Sequence, residues 1–588
     1  MSDLDVTLDG VDYMLVPGSY RAFHDPPVDT RAERQHLRRF GAGLNQPRPV
    51  DGGGLLTGLR AWPAPWPLGA DGVGPAPAAQ AVSGAISTSQ PKLTASDGDY
   101  LYIVAGTTVY RWIRSVASAP VNRKTLAAAA TGMVRLKDVL YIGHGAGADV
   151  ALYEDATNAL TASALGAGVK ASLIGTFSRG IVLVAPNFPM TLHMYYGNSL
   201  TYKRSWSLDG NILGFAQLGS RMIVTTDAGL HVLSGEWYQD ADPPAPPETL
   251  RLTSWGILSG QLQDEDDFSW LIVYQGELFA WLGKRVVGLD EARESWQPAG
   301  LEGSLTHGAA VVNGWLLVSL SPRTSPTTFQ LWGYNGSGWW LLDEASGTNT
   351  LLAPAADGAG QLVAFTSSSG NITAWDMDDT STAATLASPF TITTPLLDAG
   401  EPDRMKHWRR IGVELTRTDG QPVGDWSASI EYSTDGSATW TSAGTAVAVT
   451  SELASVEYAL DVEASGLLLR LTLTRTSGLP PFVTTVWAKH ETSRDSVRHR
   501  RWQFRVHARS RGVNRAGAPD TRTGQQIRAS LWSLWEDAST VTFRDIDYAA
   551  TSLERDVRLT TIREEWPKPA DAASLGAFSV VDVTLVER

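Results

Sequence analysis

Cysteine is absent from all 588 residues, which excludes disulfide scaffolds, thiolate zinc sites, cysteine nucleophiles and iron–sulfur clusters together. No stretch reaches the roughly 18 consecutive apolar residues that a membrane-spanning helix needs, so membrane insertion is not expected. The start, Met-Ser-Asp-Leu-Asp-Val, has neither a basic opening nor an apolar core, so no secretory leader is expected. Catalytic and phosphate-binding patterns are missing as well. The ten histidines show no His-x-x-x-His or His-Glu-x-x-His spacing, no glycine-rich loop ends in Lys-Ser/Thr, and no Gly-x-Ser-x-Gly elbow occurs. Lysine is scarce, with most of the 48 basic residues being arginine. Arginine suits persistent bidentate pairs, although a GC-rich genome produces the same bias. The net charge of −14 disfavours a chain that binds nucleic acid or anionic membrane as a whole.

What is plentiful is glycine (56) and tryptophan (22), in a chain that is 43% hydrophobic and 19% charged. Aromatics scattered among frequent glycine turns indicate many short strands. The middle of the chain repeats. Asp-Gly-Asp-Tyr-Leu-Tyr-Ile-Val at 97–104 returns in variant form at 136–143, 177–184, 218–225, 274–281, 312–319 and 359–366. Turn residues Gly98, Asp138, Gly180, Gly219, Gly276, Gly314 and Gly360 are spaced by 40, 42, 39, 57, 38 and 46. Propeller blades of four strands run about 40–50 residues, so the expectation is an all-β chain with a seven-bladed β-propeller over 81–387. The long step holds Asp242-Pro243-Pro244-Ala245-Pro246-Pro247 and reads as a loop insertion.

Residues 1–80 carry little periodic patterning and read as an N-terminal arm, expected to lie along its own propeller or a neighbouring subunit. Residues 388–500 alternate as β-sandwich strands do. Residues 501–588 read as a small β module with one helix, capped by Thr523, that reaches about Asp537 and places Ile527, Leu531, Leu534 and Trp535 on one face. Three strands follow, over 540–545, 556–563 and 578–586.

No constellation carries chemistry convincingly, so no catalytic, cofactor-binding or metal-binding residue is expected, and no cofactor. His144, His193, His231 and His307 read as structural histidines. The run Asp264-Glu265-Asp266-Asp267 lacks the spacing of a calcium loop and reads as a solvated loop, as do Asp376, Asp378 and Asp379. Ser433-Thr434-Asp435-Gly436-Ser437-Ala438-Thr439-Trp440 resembles the Asp-box hairpin of sialidase propellers, with Ser437 where glycine is expected, and reads as a turn with a packed tryptophan.

Charge is distributed unevenly. Residues 1–399 hold 24 basic and 37 acidic side chains, a net −13, whereas 400–588 hold 24 and 25. Ten arginines fall between 494 and 528 against only Asp495 and Asp520. In the strand 501–509, Trp502, Phe504, Val506 and Ala508 share one face and Arg501, Gln503, Arg505, His507 and Arg509 the other. Lined-up like charges imply an acidic counter-surface, and Arg501, Arg505, His507 and Arg509 are the candidate subunit interface. A solvated protective edge and phosphate backbone are the competing readings.

The parts together resemble a minor tail or tail-tip protein of a tailed bacteriophage. Pro395-Leu396-Leu397-Asp398-Ala399-Gly400 with Lys406-His407-Trp408-Arg409-Arg410-Ile411 is similar to the junction of phage minor tail proteins. Leu531-Trp532-Ser533-Leu534, Val541-Thr542-Phe543 and Val581 to Glu587 are similar to the closing module of tail-tip and fibre-attachment proteins. Gly10 to Leu15 and the Trp62/Trp66 run add a weaker match. The resemblance implies a non-enzymatic virion component, made in the host cytoplasm, forming a homo-oligomeric ring around the tail axis with other tail proteins as partners. It implies no specific nucleic acid. Two other readings are a carbohydrate-binding adhesin for a host-surface glycan, with Trp237-Tyr238 and Trp339-Trp340 as candidate stacking aromatics, and a glycan-degrading propeller enzyme.

Overall fold

A computed structural model describes residues 5–587 apart from 25–31, 39–54, 65–71, 235–250, 256–268, 354–361, 378–385, 418–422, 493–499, 509–520, 545–554, 566–578 and a few stretches of up to four residues. The chain is all-β and propeller-like, with seven four-stranded antiparallel sheets between residues 80 and 376. Each repeat found in the sequence supplies a first hairpin. Gly132–Leu136 pairs with Val139–Gly143, Leu271–Tyr274 with Glu277–Leu282, and Leu305–Val312 with Trp315–Ser321. The turns explain the glycines. Asn313 and Gly314 take φ of 46° and 76°, and Gln275 and Gly276 take 50° and 82°. Two successive positive φ angles match the twist of the flanking strands, and glycine adopts the second without strain.

The first strands touch in succession around the molecule, and Leu351–Ala353 of the seventh sheet touches Lys92–Ser96 of the first. Apolar residues fill each space between successive sheets. Ile103, Trp112 and Ile372 lie between the seventh and first, Val104, Leu140 and Tyr153 between the first and second, and Met194, Leu192 and Met222 between the third and fourth. A polar clamp joins the first two sheets at their rim. Asp155 accepts from Arg111 at 2.6 Å, Arg123 at 3.2 Å and the Tyr153 hydroxyl at 2.7 Å. The seventh sheet takes its fourth strand, Gln80–Ala85, from the segment before the first sheet. The long repeat step is a connection within the fourth sheet, between Leu230–Ser234 and Arg251–Trp255; the proline run itself lies outside the described residues.

Beyond the ring stand two six-stranded sheets that share one buried cluster. One contains Lys406–Thr416 between Leu453–Ala464 and Phe482–Thr492; the other contains Trp426–Ser433, Leu468–Arg475 and Phe390–Thr393. The Lys-x-Trp junction has a physical role here. Lys406 is fully buried, and its ammonium donates to the carbonyls of Glu401, Arg404 (3.0 Å) and Ser465 (2.9 Å), while the Trp408 indole donates to Ala464 O at 3.2 Å. Three carbonyl acceptors where the chain bends into the sheet thus compensate the buried cation.

The N-terminal arm departs from expectation. It is built mainly into the C-terminal sheets rather than laid along the ring or a neighbour. Asp5–Leu8, Val11–Met14 and Arg21–His24 join the last sheet. Ala32–Arg38 pairs with Phe482–Thr492 over seven residues, and Thr57–Leu59 pairs with Phe390–Thr393. Apart from the local hairpin of Asp5–Leu8 with Val11–Met14, these strands were inconspicuous because each pairs with a partner hundreds of residues away.

The same arm holds the sixth sheet of the ring. Trp62 stacks on Trp315 with centroids 5.4 Å apart. Arg60, at φ 57°, takes a backbone bond from Ala76, gives one to Leu341 O at 3.0 Å, and donates its Nε to Asp343 Oδ1 at 3.1 Å. Asp343 is buried and also accepts from the Trp375 indole at 3.2 Å. Burial pushes its carboxyl above the ordinary carboxylate range, against the opposing pull of Arg60.

The last unit is a seven-stranded sheet with the helix Gly524–Glu536 packed on it. Thr523 caps the helix: its hydroxyl accepts from Gln526 N at 3.2 Å, and Gln526 Oε1 accepts from Thr523 N at 2.9 Å. Ile527 and Leu531 are buried; Leu534 and Trp535 pack at the margin. The three following strands are Val541–Arg544, Arg555–Glu565 and Ser579–Glu587. Val11–Met14 forms one edge, yet the next residue, Leu15, bridges Val506 near the other edge. One continuous N-terminal segment thus links the two sides of the sheet.

Candidate arginine interface

The strand Arg500–Ala508 has the expected alternation. Trp502, Phe504, Val506 and Ala508 are buried under the helix, with Trp502 4.9 Å from Phe543. They lie in this seven-stranded sheet and not in the preceding pair of sheets. Arg501, Gln503, Arg505 and His507 share the opposite face and are partly exposed; Arg509 lies outside the described residues.

Two parts of the sequence argument change. The strand is not an edge, because Ser579–Glu587 flanks it on one side and Arg21–His24 on the other, so the edge-protection reading fails for it. Nor is the whole arginine row left to an outside counter-charge. Asp582, directly opposite Arg505 in register, accepts from its Nε at 2.7 Å, and Asp582 stands opposite Arg563 on its other side. Asp582 was within reach of sequence reasoning: in Val581-Asp582-Val583-Thr584-Leu585, alternation sends Asp582 and Thr584 to the face opposite the valines. Arg21 and Ser19 were not, since nothing local ties residue 20 to residue 504.

Those two residues complete a groove. The N-terminal segment meets the strand at the Leu15–Val506 bridge and again where Arg21 pairs with Gln503. Val16 N donates to Arg505 O at 2.8 Å and Arg505 N donates to the Ser19 hydroxyl at 3.1 Å, so both backbone groups of Arg505 are paired there. The resulting groove, of about 500 Å³, is lined by Ser19, Arg21, Gln503, Arg505, Asp582 and Thr584 together with Val16, Phe504 and Val583.

The remaining candidates have structural places. His144 and His231 are buried, His193 and His307 partly so, and burial lowers the imidazole pKa of His144, His193 and His307. Trp339 and Trp340 are buried, the indole of Trp339 donating to Ala299 O at 2.6 Å, so they are packing aromatics and not surface stacking residues. Trp237-Tyr238, Asp264 to Asp267, Asp378 and Asp379 lie outside the described residues; Asp376 ends the strand Asn371–Asp376. Among the described residues no group of three or more His, Asp or Glu side chains could hold a metal ion, and no helix is long and apolar enough to cross a membrane.

The Ser433–Trp440 turn is a hydrogen-bonded hairpin tip. The Ser433 hydroxyl donates to Asp435 at 2.6 Å, and Asp435 also accepts from Thr439 N (3.0 Å) and Thr439 Oγ1 (2.6 Å). Arg470 lies over the Trp440 ring at 4.3 Å. These donors hold the Asp435 carboxyl down at about 2. A depressed acid contributes stability above its unfolded pKa, near 4, that is lost as pH falls through the folded value. The melting temperature of wild type should therefore exceed that of Asp435→Asn above about pH 4 and converge with it toward pH 2. A difference that persists unchanged at pH 2 would assign the effect to packing rather than to the carboxylate.

No family model and no curated protein matches the sequence. Among solved structures, a chain of "Crystal Structure of Mitotic Checkpoint Complex" is similar at 12% identity and TM-score 0.35, covering 52% of this chain and 95% of that one. A chain of "Structure of U3-55K" is similar at 8% identity and TM-score 0.35, covering 50% and 97%. Similarity at that level carries no argument about what this chain does.

Proposed function

We propose that this chain is a structural protein of a bacteriophage tail, a minor tail or tail-tip component built as a seven-bladed β-propeller, a β-sandwich and a C-terminal β module. The observation that carries the reading is the way the two ends of the chain are sewn together. Strands from residues 5–75 are inserted into the sheets formed by residues 390–587. Sheets bonded through strands from both ends resist being peeled open one strand at a time, and ring closure leaves few free edges. Such construction suits a particle component that must survive outside the cell. The sequence similarities at 395–411 and 531–587 support the same reading. In it the protein is made in the host cytoplasm, carries no catalytic site or cofactor, and forms a ring with copies of itself beside other tail proteins. Arg501, His507 and Arg509 remain proposed contact residues; Arg505 acts together with its own Asp582.

Electron microscopy tests this directly. Gold-labelled antibody against the purified chain is expected to decorate the tails of particles released from cells that carry the gene. Particles that are released in number and remain unlabelled would overturn the assignment.

A further inference from the structure

The longest strand has one unpaired side. Leu453–Ala464 runs for 12 residues and pairs with Lys406–Thr416; among the described residues no strand lies on its other side. Every other edge strand among the described residues has eight residues or fewer. Free N–H and C=O groups on such an edge are a template for another strand, which is why edges are commonly short, bulged or covered. Pairing is one-for-one from Leu453 opposite Thr416 to Ala459 opposite Arg410, and the register shifts only beyond that point, so 453–459 is a regular open edge. The inner face anchors it. Val456 is buried, Ala454, Tyr458 and Leu460 pack against the core, and the Tyr458 hydroxyl donates to Thr445 O at 2.7 Å.

On the outer face Leu453, Ser455, Glu457, Ala459, Asp461 and Glu463 are exposed, Leu453 at 74% and the Asp461 side chain at 84%. Every charge in the strand is therefore acidic. The cations stand one strand further in: Arg410 donates to Glu457 at 2.7 Å, and Arg409 is divided between Asp461 at 3.6 Å and Glu491 at 3.1 Å. We infer that this edge receives an extended segment of a partner protein in which basic and apolar residues alternate. Main-chain bonds to the free edge supply the affinity, and the alternate side chains choose the partner. On the outer face the segment's Lys or Arg residues meet Glu457, Asp461 and Glu463; on the inner face its apolar residues continue the row of Ala454, Tyr458 and Leu460. Charge selects this occupant over a second copy of the chain, which would bring the same three carboxylates to the seam.

The test uses the full chain and a fluorescein-labelled peptide of alternating lysine and valine, long enough to span Leu453–Ala459. Fluorescence anisotropy should show binding at low salt that weakens as salt is raised. The same peptide with glutamate in place of lysine should not bind. N-methylation of alternate residues should abolish binding in one set, whose N–H groups face the edge, and spare it in the other. Glu457→Gln, Asp461→Asn and Glu463→Gln together should leave the melting temperature nearly unchanged, because exposed ion pairs contribute little, and weaken binding about tenfold. Absence of binding at low salt, or equal binding of the glutamate peptide, overturns the inference. Binding that survives N-methylation of both sets is mere adsorption of a polycation and overturns strand addition. An anisotropy curve that turns over as the chain is concentrated gives the edge to a second copy and overturns the assignment to a basic partner.

Discussion

Removing residues 1–24 is expected to unfold the C-terminal sheet, although the deletion leaves every residue of 500–588 in place. The lost strands bury Val6, Leu8 and Leu15 at 1%, 0% and 2% exposure, and with them the Tyr13 ring, whose hydroxyl shares a 2.7 Å hydrogen bond with Ser530 of the helix. At about 1.5–3 kcal/mol for each buried aliphatic side chain, the three aliphatics alone supply about 5–9 kcal/mol. Whole domains are stable by only about 5–15 kcal/mol, so the remainder should not hold. Trp502 and Phe504 would lose their burial, and limited proteolysis should cut within 500–588 at a rate that wild type does not show. A truncated protein with wild-type resistance there would mean that the arm decorates the sheet rather than completing it.

Excising the sixth sheet, residues 305–346, is expected to have the largest effect of any single deletion in the ring. Its neighbours would face a gap, because apolar residues fill the spaces on both of its sides. Trp315 and Trp340 are fully buried in the cluster that also contains Trp281 and Trp375. Substituting one buried tryptophan by alanine typically costs about 3–5 kcal/mol, and here two go together with four strands. The excision also removes Asp343 and Leu341, the ring's attachments to Arg60. The expected product is insoluble or lacks a cooperative melting transition in calorimetry. A soluble product with one sharp transition would show that six sheets can close.

The repeat was legible because each first hairpin is local: its strands are joined by a turn whose glycine and asparagine announce themselves, as at Asn313-Gly314. The alternation of Trp502, Phe504 and Val506 was legible for the same reason, and so was the Thr523 cap. What stayed hidden was long-range pairing. Ala32–Arg38 has no apolar alternation of its own to advertise, and it becomes a strand because Phe482–Thr492 offers a free side. The arginine row illustrates the limit at the site. Its direction could be read from one strand, whereas its neutralising partner Asp582 and the wall supplied by Arg21 depended on which strands lie beside it.

Pairing between the two ends also sets a timetable for synthesis. Leu15 leaves the ribosome long before Val506, its bridge partner. At roughly 5–20 residues per second, the wait is roughly 25 to 100 seconds. Throughout that interval Val6, Leu8 and Tyr13 have nowhere to go, while the ring can close as it emerges. Ser579–Glu587, the last of these strands in chain order, lies between Arg500–Ala508 and Arg555–Glu565. A ribosome that stops before residue 579 therefore releases a chain with a finished ring and an unfinished final sheet. Such a chain stays open to proteolysis, so the final sheet protects itself only after this inner strand has been made.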